Sequence, residues 1–334
     1  MRRVYHRFAL ALQSPFKRRL SAFYELGEFP ASYDIVFMLV AAQARALSKQ
    51  IETVHFYLVN GQDEGLRVEE EDYGAAYPVH QRNYVVSHVV ETIPRLGVLC
   101  RRPAVRIDPR EVGLVASQYR AYFSLWMENE WNPLNRVRRE AHAAWRRYGS
   151  RIGLSASDGA VELMRGWLRA NGIQSAPIVL TLRDRKWSHG RNSSGEGWKE
   201  LAGLLKKRGV PSVVIPDTER VFERTMTDFC GLPVCVPASV DTELRLALCE
   251  LARMNFTVNT GPGTMLLFSR APYRFFTNLG STKESSADLW SEIGVPPGSQ
   301  LSEDHSRQRM IWEADTADVL LRELEEVLNL ERPL

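Results

Sequence analysis

The sequence predicts an α/β protein of two lobes, the second of which holds a parallel sheet covered by helices on both faces. Its 334 residues are about twice the length of an ordinary domain, and a hydrophobic content of 44% is sufficient for two cores. After about residue 150, strand-like and helix-like segments alternate, which is the pattern of a parallel sheet. The composition is typical of a globular protein and excludes disordered, collagen-like and disulfide-stapled classes.

The first lobe is predicted over residues 1–150. Ser32 is expected to cap a helix that runs to about Leu47, and a strand over 55–59 is expected to end at the turn Asn60-Gly61. The acidic stretch 62–73 is interpreted as a solvated loop, with a cation site or a helix N-terminus as the alternatives. The next expected elements are a helix over 79–92, short strands over 98–100 and 104–107, and a helical connector over 117–151.

The connector is rich in aromatic residues and arginines, which leaves two interpretations open. Such residues pack as a helix between lobes, and they also stack on bases or sugars. The aromatic residues are Tyr119, Tyr122, Phe123, Trp126, Trp131, Trp145 and Tyr148.

Residues 1–20 are basic, without an acidic residue, around the apolar run Phe8–Leu12. The run is too short for a secretory signal, and no stretch of the chain is long enough to predict a membrane span. The segment is therefore either a solvated basic terminus or a peripheral contact with anionic lipid. We expect a cytoplasmic protein, with membrane association if the second interpretation holds. The net charge of +3 is too small to predict nucleic-acid binding.

The cysteines are Cys100, Cys230, Cys235 and Cys249. They are far apart in sequence and form no Cys-x-x-Cys pair, so neither a zinc knuckle nor a disulfide framework is predicted. We interpret them as buried thiols.

The second lobe is predicted over residues 151–334. Its strands are expected over 178–182, 212–215, 233–236 and 256–259. Helices are expected over 155–171, 195–208 and 241–254, with a further helix after residue 264 and a last amphipathic helix over 315–328, and Trp312 is expected in the core. Asp315 is expected near the start of the last helix, where an acid complements the helix dipole.

Ligands of parallel sheets bind beyond the carboxyl ends of the strands, where this chain places three polar loops. The first, 183–193, brings four cations to a helix N-terminus and suits a phosphate, although a flexible solvated loop is the alternative. Another, 259–264, contains glycines that let a ligand approach the backbone and the hydroxyl of Thr264, or it is only a tight turn. Asp217 follows the second strand, where an acid accepts ribose hydroxyls or caps a helix.

Several standard motifs are absent. The chain contains no Gly-x-Gly-x-x-Gly turn, no P-loop and no Gly-x-Ser-x-Gly elbow. It also lacks Asp-x-Asp, which argues against a metal-dependent sugar-nucleotide site. We therefore predict no metal ligands.

Four stretches together resemble uncharacterised bacterial glycosyltransferase-like proteins of the GT-B type. They are 181–198, 213–217, 255–264 and 312–316, and the similarity extends mainly over residues 155–330. The resemblance implies two Rossmann-like lobes, with parallel sheets flanked by helices, and a role in cell-surface polysaccharide synthesis. It also implies a nucleotide-diphosphate sugar as the donor substrate, a glycan or another hydroxyl acceptor on the side of the first lobe, and no metal or other cofactor.

Under this hypothesis the second lobe binds the donor. The donor-binding residues would be Arg183, Arg191, Asn192, Ser193, Asp217, Gly261, Pro262, Gly263 and Thr264. Arg183 and Arg191 would neutralise the departing diphosphate, with His189 as a further ligand contact. The general base is unknown, and the candidates are Asp63, Glu64, His80 and Asp108.

Two other classes of function remain open. A two-lobed protein without catalytic activity would bind a nucleotide, a glycan or a protein partner and would not depend on Arg183. A transferase of another group, such as sulfate or pyruvate, would use a different donor on the same scaffold.

Overall fold

The computed structural model describes residues 19–69, 71–118, 120–123, 133–185, 189–223, 229–280, 282 and 285–329. The chain divides after Leu154 into two compact units, residues 1–154 and 155–334. The predictions for residues 1–18, and for Trp126 and Trp131, fall outside the described residues.

The first unit contains a four-stranded parallel sheet. Its strands are β1 (Arg19–Glu25), β2 (Thr53–Val59), β3 (Val105–Ile107) and β4 (Arg120–Phe123). Their order is β3-β2-β1-β4, and Leu20 lies opposite Val54 and Arg120. The helices are α1 (Ile35–Ser48), α2 (Glu71–Ala76), α3 (Val79–Val85), α4 (Val112–Gln118) and α5 (Pro133–Tyr148).

Several predictions for this unit were wrong. Strand β1 was not predicted, because the segment Arg19–Glu25 contains no β-branched residue and therefore has a weak strand signal. The strand expected over 98–100 is a turn, and the connector expected to be helical contains β4. The helix expected over 79–92 ends at Val85 and continues as a π-helix, Val86–Val90.

The first helix begins at Ile35, so Ser32 does not cap it. The Ser32 hydroxyl instead donates to the carboxylate of Asp34 at 2.8 Å. Asp34 in turn accepts from Arg138 of α5 at 2.8 Å, which fixes the start of α1 against α5.

The second unit contains a five-stranded parallel sheet, as the sequence predicts for this half. Its strands are β5 (Ile178–Thr181), β6 (Ser212–Ile215), β7 (Met254–Val258), β8 (Tyr273–Phe276) and β9 (Gln308–Ile311), in the order β6-β5-β7-β8-β9. The helices are α6 (Asp158–Ala170), α7 (Gly195–Lys207), α8 (Thr218–Glu223), α9 (Val236–Val240), α10 (Thr242–Leu251), α11 (Gly261–Leu267), α12 (Ala287–Glu292) and α13 (Ala317–Asn329).

Two strands of this sheet were not predicted, and one predicted strand is absent. The segment 233–236 makes only an isolated bridge, between Val234 and Val214. The two strands that were not predicted, β8 and β9, extend the sheet at the opposite edge, beyond β7. The sequence of β8 includes Arg274, which is fully buried, and a buried arginine in a strand is not detectable by hydrophobic pattern.

The last helix packs on the sheet of its own unit. Leu320 and Leu324 of α13 are buried with Trp198 and Leu201 of α7 in one core. A buried ion pair between Arg274 and Glu323, at 3.2 Å, joins α13 to β8. Trp312, expected in the core, is half-buried and donates its indole N–H to the Ser299 carbonyl at 2.9 Å.

Three of the four predicted buried thiols are buried. Burial raises the pKa of Cys100 to about 11 and that of Cys249 to about 12. Cys230 is exposed, which corrects the prediction. Within the described residues, no helix combines the length and apolar character needed to cross a bilayer.

Candidate functional site

Each sheet has a point at which the chain reverses the direction of strand addition. In the second unit the chain passes from β5 to β6 on one side and then returns to β7 on the other side. In the first unit the corresponding point lies between β1 and β4. Ligands of open parallel sheets bind at these switch points, outside the carboxyl ends of the strands. The loops after β5 and β7 are therefore the first place to look for a ligand site in the second unit.

The loop after β5 is held together by its own side chains. The Asn192 side-chain oxygen accepts from Arg183 Nη1 and from the Arg185 backbone N–H, both at 3.1 Å, and its amide nitrogen donates to the Arg185 carbonyl at 2.9 Å. The Ser193 hydroxyl accepts from the Arg183 backbone N–H at 3.0 Å. Only 5% of Arg183 is exposed. These hydrogen bonds join the two described ends of the loop to each other. They do not fit the alternative interpretation of a flexible solvated loop at these ends.

Arg191 connects the two loops at the switch point. Its Nε and Nη2 atoms donate to the carbonyl of Asn259, at 3.3 Å and 3.0 Å. Asn259 follows β7 directly, so the guanidinium crosses from the loop after β5 to the loop after β7. The structure therefore brings together two of the predicted donor-binding segments. The side chain of His189 lies outside the described parts of this loop.

The loop after β7 was expected to let a ligand approach the backbone, but its Gly263 allows close packing between α11 and β8. A Cβ atom on Gly263 would lie 2.9 Å from the Phe275 ring and 3.1 Å from the Val258 carbonyl oxygen, so this glycine lets α11 approach β8. Pro262 has no N–H and removes one donor from the first turn of α11. The Thr264 hydroxyl donates to the Thr260 carbonyl at 3.4 Å. The turn offers fewer donors to an anion than the sequence predicts.

Asp217 caps α8, the second of its two interpretations. One carboxylate oxygen accepts from the Glu219 backbone N–H at 3.1 Å. The other accepts from the Asp184 backbone N–H at 3.2 Å and lies 3.4 Å from Arg185 Nε. With 6% of the residue exposed, the carboxylate supports the loop after β5.

A cavity of about 170 Å³ lies beneath this loop, between β5 and β6. Its floor is apolar and includes Trp198 and Val214, and its rim carries Arg183 and Arg220. Arg220 is held by two hydrogen bonds to Asp184, at 2.6 Å and 2.8 Å. Because pockets for whole small-molecule ligands measure roughly 300–1,000 Å³, this cavity suits one small group.

Asp315, expected near the start of the last helix, also has a role at the candidate site that the sequence did not indicate. It precedes α13 instead of lying within it, and only 3% of it is exposed. Its carboxylate accepts from the Ser194 backbone N–H at 2.9 Å, from the Trp198 indole N–H, and from the Asn278 amide at 2.9 Å. Asp315 thereby fixes the start of α7, which immediately follows the loop after β5. Its partner Ser194 is 121 residues away, so no local signal could have indicated this role.

In the first unit, the proposed base candidates are not equivalent. Asp63 pairs at 3.1 Å with Arg82, which is 7% exposed and also donates to the Arg67 carbonyl at 3.1 Å. Asp108 caps a short turn, and hydrogen bonds from Arg110 hold the pKa of its carboxyl below its ordinary value.

Glu64 shares the turn of Asp63 and has a positive φ of 45°. His80 is exposed on α3. No hydrogen bond or ion pair among the described residues joins His80 to the other three candidates.

Two acidic residues at the switch point of the first unit were missed. Glu25 ends β1, and Glu28 follows it, with its backbone N–H donating to the Glu25 carbonyl at 3.0 Å. Glu25 is buried and Glu28 is exposed. These two residues can be identified as strand-end residues only when β1 is known, and the sequence pattern did not predict β1.

The described residues do not gather three or more His, Cys, Asp and Glu side chains as a metal site would. No protein-family model matches the chain, and no curated protein is similar to it in sequence.

Solved structures nevertheless share its fold. The glycosyl transferase family 9 protein from Veillonella parvula superimposes with a TM-score of 0.51 at 8% identity, over 96% of this chain and 100% of that one. The ADP-heptose LPS heptosyltransferase II of E. coli gives 0.51 at 10% identity, over 94% of this chain and 100% of that one. At these identities the similarity establishes the fold alone. It confirms the predicted resemblance: the chain has two Rossmann-like α/β units of the GT-B glycosyltransferase type.

Proposed function

We propose that this protein transfers a sugar from a nucleotide-diphosphate sugar to an acceptor hydroxyl, without a metal ion. The observation that carries the proposal is the guanidinium of Arg191, fixed across the switch point of the second unit by Asn259. Departure of a nucleoside diphosphate builds negative charge, and arginines held in place before the reaction stabilise such charge.

The loop after β5 supports binding of a diphosphate, because it carries several arginines whose side chains are held in place by neighbouring residues. Arg183 is held by Asn192 and Arg185 lies beside Asp217, so these side chains need little further ordering when a ligand arrives. We assign the diphosphate to Arg183 and Arg191. Asn192, Ser193 and Asp217 act by positioning the loop, whereas Gly261, Pro262, Gly263 and Thr264 form the opposite wall.

For the acceptor side we propose Glu28 as the general base. It is exposed at the switch point of the first unit, where an acceptor would bind. Arg110 lowers the pKa of the Asp108 carboxyl, which makes Asp108 a weaker base. The acceptor would be a glycan or another molecule with a free hydroxyl.

The nucleotide is best identified by a panel of donors. The similar E. coli protein is named for ADP-heptose, so ADP-sugars are tested first, followed by UDP-, GDP- and CMP-sugars. Ligand-dependent thermal stabilisation and donor turnover would be measured with and without a metal chelator. We expect one class of donor to stabilise the protein, and Arg183→Ala and Arg191→Ala to abolish the effect.

Arg165→Ala is the matched control, since Arg165 is an exposed arginine of α6 paired with Glu162. Its stabilisation by the donor should equal that of the wild type. Glu28→Gln should bind the donor normally and lose transfer. Absence of donor binding by the folded wild-type protein would refute the proposal.

A further inference from the structure

The cavity beneath the loop after β5 is partly open to solvent and has a mainly apolar interior. Leu182, Val214 and Val234 line it. Trp198 lines it as well, and the indole N–H of this tryptophan is already donated to Asp315. The interior therefore offers apolar surface, which suits the face of a flat ring.

The rim of the cavity is polar and carries charges of both signs. Arg220 and Asp184 lie there as a pair, joined by hydrogen bonds of 2.6 Å and 2.8 Å, and Lys199 adds a further cation. All three side chains are partly exposed. A heterocycle matches such a place, because its faces are apolar and its edge carries hydrogen-bond donors and acceptors.

Arg183 connects this cavity to the proposed diphosphate site. It lines the cavity, and its Nη1 atom donates to Asn192 in the loop after β5. A ligand whose phosphate lies on Arg183 therefore brings the group next to that phosphate to the mouth of the cavity. In a nucleotide-diphosphate sugar this group is the nucleoside or the sugar. The apolar interior favours the base of the nucleoside, because the hydroxyls of a sugar would lose their hydrogen bonds to water there.

The volume of the cavity limits which base it can hold. An apolar cavity of about 150 Å³ admits benzene, and this cavity measures about 170 Å³. It has room for a single ring of that size, whereas a purine carries a second, fused ring. The cavity cannot widen easily on its inner side, because Trp198 and Val214 have no exposed surface and belong to the close-packed core.

We propose that the cavity holds the base of the donor and selects a pyrimidine nucleotide over a purine nucleotide. This inference rests on the proposed function and names the donor as a UDP-sugar or a CDP-sugar. It distinguishes this chain from the similar E. coli protein, which is named for ADP-heptose.

The first test is titration calorimetry of the full chain with UDP, CDP, ADP and GDP. The wild type should bind UDP or CDP at least about tenfold more tightly than either purine nucleotide, since a pocket discriminates by about this factor against a group that it cannot enclose.

The second test fills the cavity. Val234 is half-buried, lines the cavity and makes only an isolated bridge to Val214, so Val234→Phe adds a ring at the wall of the cavity without changing a strand of the sheet. The variant should bind the preferred nucleotide roughly 10- to 100-fold more weakly. Inorganic pyrophosphate has no base and should bind the variant as it binds the wild type. The control Val68→Phe makes the same substitution at an exposed position of the first unit and should bind both ligands normally.

The third test enlarges the cavity. Phe229 is half-buried and lines it, so Phe229→Ala makes room for a larger base. The ratio of UDP affinity to ADP affinity should fall towards one in this variant. A general loss of stability would not change this ratio, and thermal unfolding checks that each variant is folded.

The outcomes separate this inference from the proposed function. Binding of ADP or GDP as tightly as UDP and CDP would overturn the inference and leave the proposed function intact. Unchanged nucleotide affinity in Val234→Phe, or an equal loss of nucleotide and pyrophosphate affinity, would also overturn it. If the folded wild type binds none of the four nucleotides, both the proposed function and this inference are wrong.

Discussion

Replacement of Asp315 tests how the second unit holds the loop after β5. The carboxylate accepts three hydrogen bonds, from Ser194, Trp198 and Asn278, in a place where Trp198 has no exposed surface. A hydrogen bond to a charged group contributes about 1.5–3 kcal/mol when its loss leaves a buried partner. Three bonds at the lower end of that range give a loss of about 4.5 kcal/mol in the free energy of unfolding for Asp315→Ala.

Urea unfolding followed by circular dichroism would measure this loss. Asp315→Asn keeps one carbonyl acceptor and should lose about half as much, roughly 2 kcal/mol. Glu313→Ala is the control, because Glu313 is exposed and pairs with the exposed Arg322. Its loss in the free energy of unfolding should stay below about 0.5 kcal/mol. A loss under about 1 kcal/mol for Asp315→Ala would refute the role assigned to this carboxylate.

Three other predictions concern packing, thiol exposure and pH. Gly263→Ala should destabilise the protein by about 1–3 kcal/mol in urea unfolding, because its Cβ would meet Phe275 at 2.9 Å, whereas Gly195→Ala, with open space around its Cβ, should not. In the native protein one thiol, Cys230, should react quickly with a chromogenic disulfide, and all four should react after denaturation; fast reaction of a second thiol would contradict the burial of the others. Burial and the charges of Arg146 and Arg138 lower the pKa of His142 to about 3, which is below its value in the unfolded chain. The unfolded chain therefore binds more protons than the folded protein between these two pKa values. The free energy of unfolding should consequently fall as the pH drops below about 6.5. His142→Gln should make the pH dependence of the unfolding free energy shallower between pH 6.5 and 5, and an unchanged slope would be the contrary result.

The strands that the sequence predicted well are those with local signals. The β-branched runs of β5 and β6 lie between clear helices, and the predicted parallel sheet follows from their spacing. In contrast, β8 contains Arg274, whose burial depends on Glu323, and the chain between the two residues gives no sign of their contact. A partner that is distant in sequence can decide whether a charged residue is buried, and a single-sequence pattern does not contain that information.

The same distinction applies to the candidate site. The cations of 183–193 predict an anion-binding loop at a strand end, because residue type and position are local signals. The contacts that fix this loop, from Arg191 to Asn259 and from Asp217 to Asp184, join separate strands and required the structure. Glu28 was missed for a related reason, since a loop is identified as a strand end only after the strand is known.

The most direct test of the account is the affinity of the protein for nucleoside diphosphates, measured by titration calorimetry with ADP, UDP, GDP and CDP. The account predicts that the wild type binds at least one of them. It also predicts that Arg191→Ala binds that ligand roughly 10- to 150-fold more weakly, the effect of one lost hydrogen bond to a charged group, while Arg165→Ala binds normally. Equal affinity of Arg191→Ala and the wild type, with both proteins folded, would contradict the central claim that the switch point of the second unit holds the diphosphate.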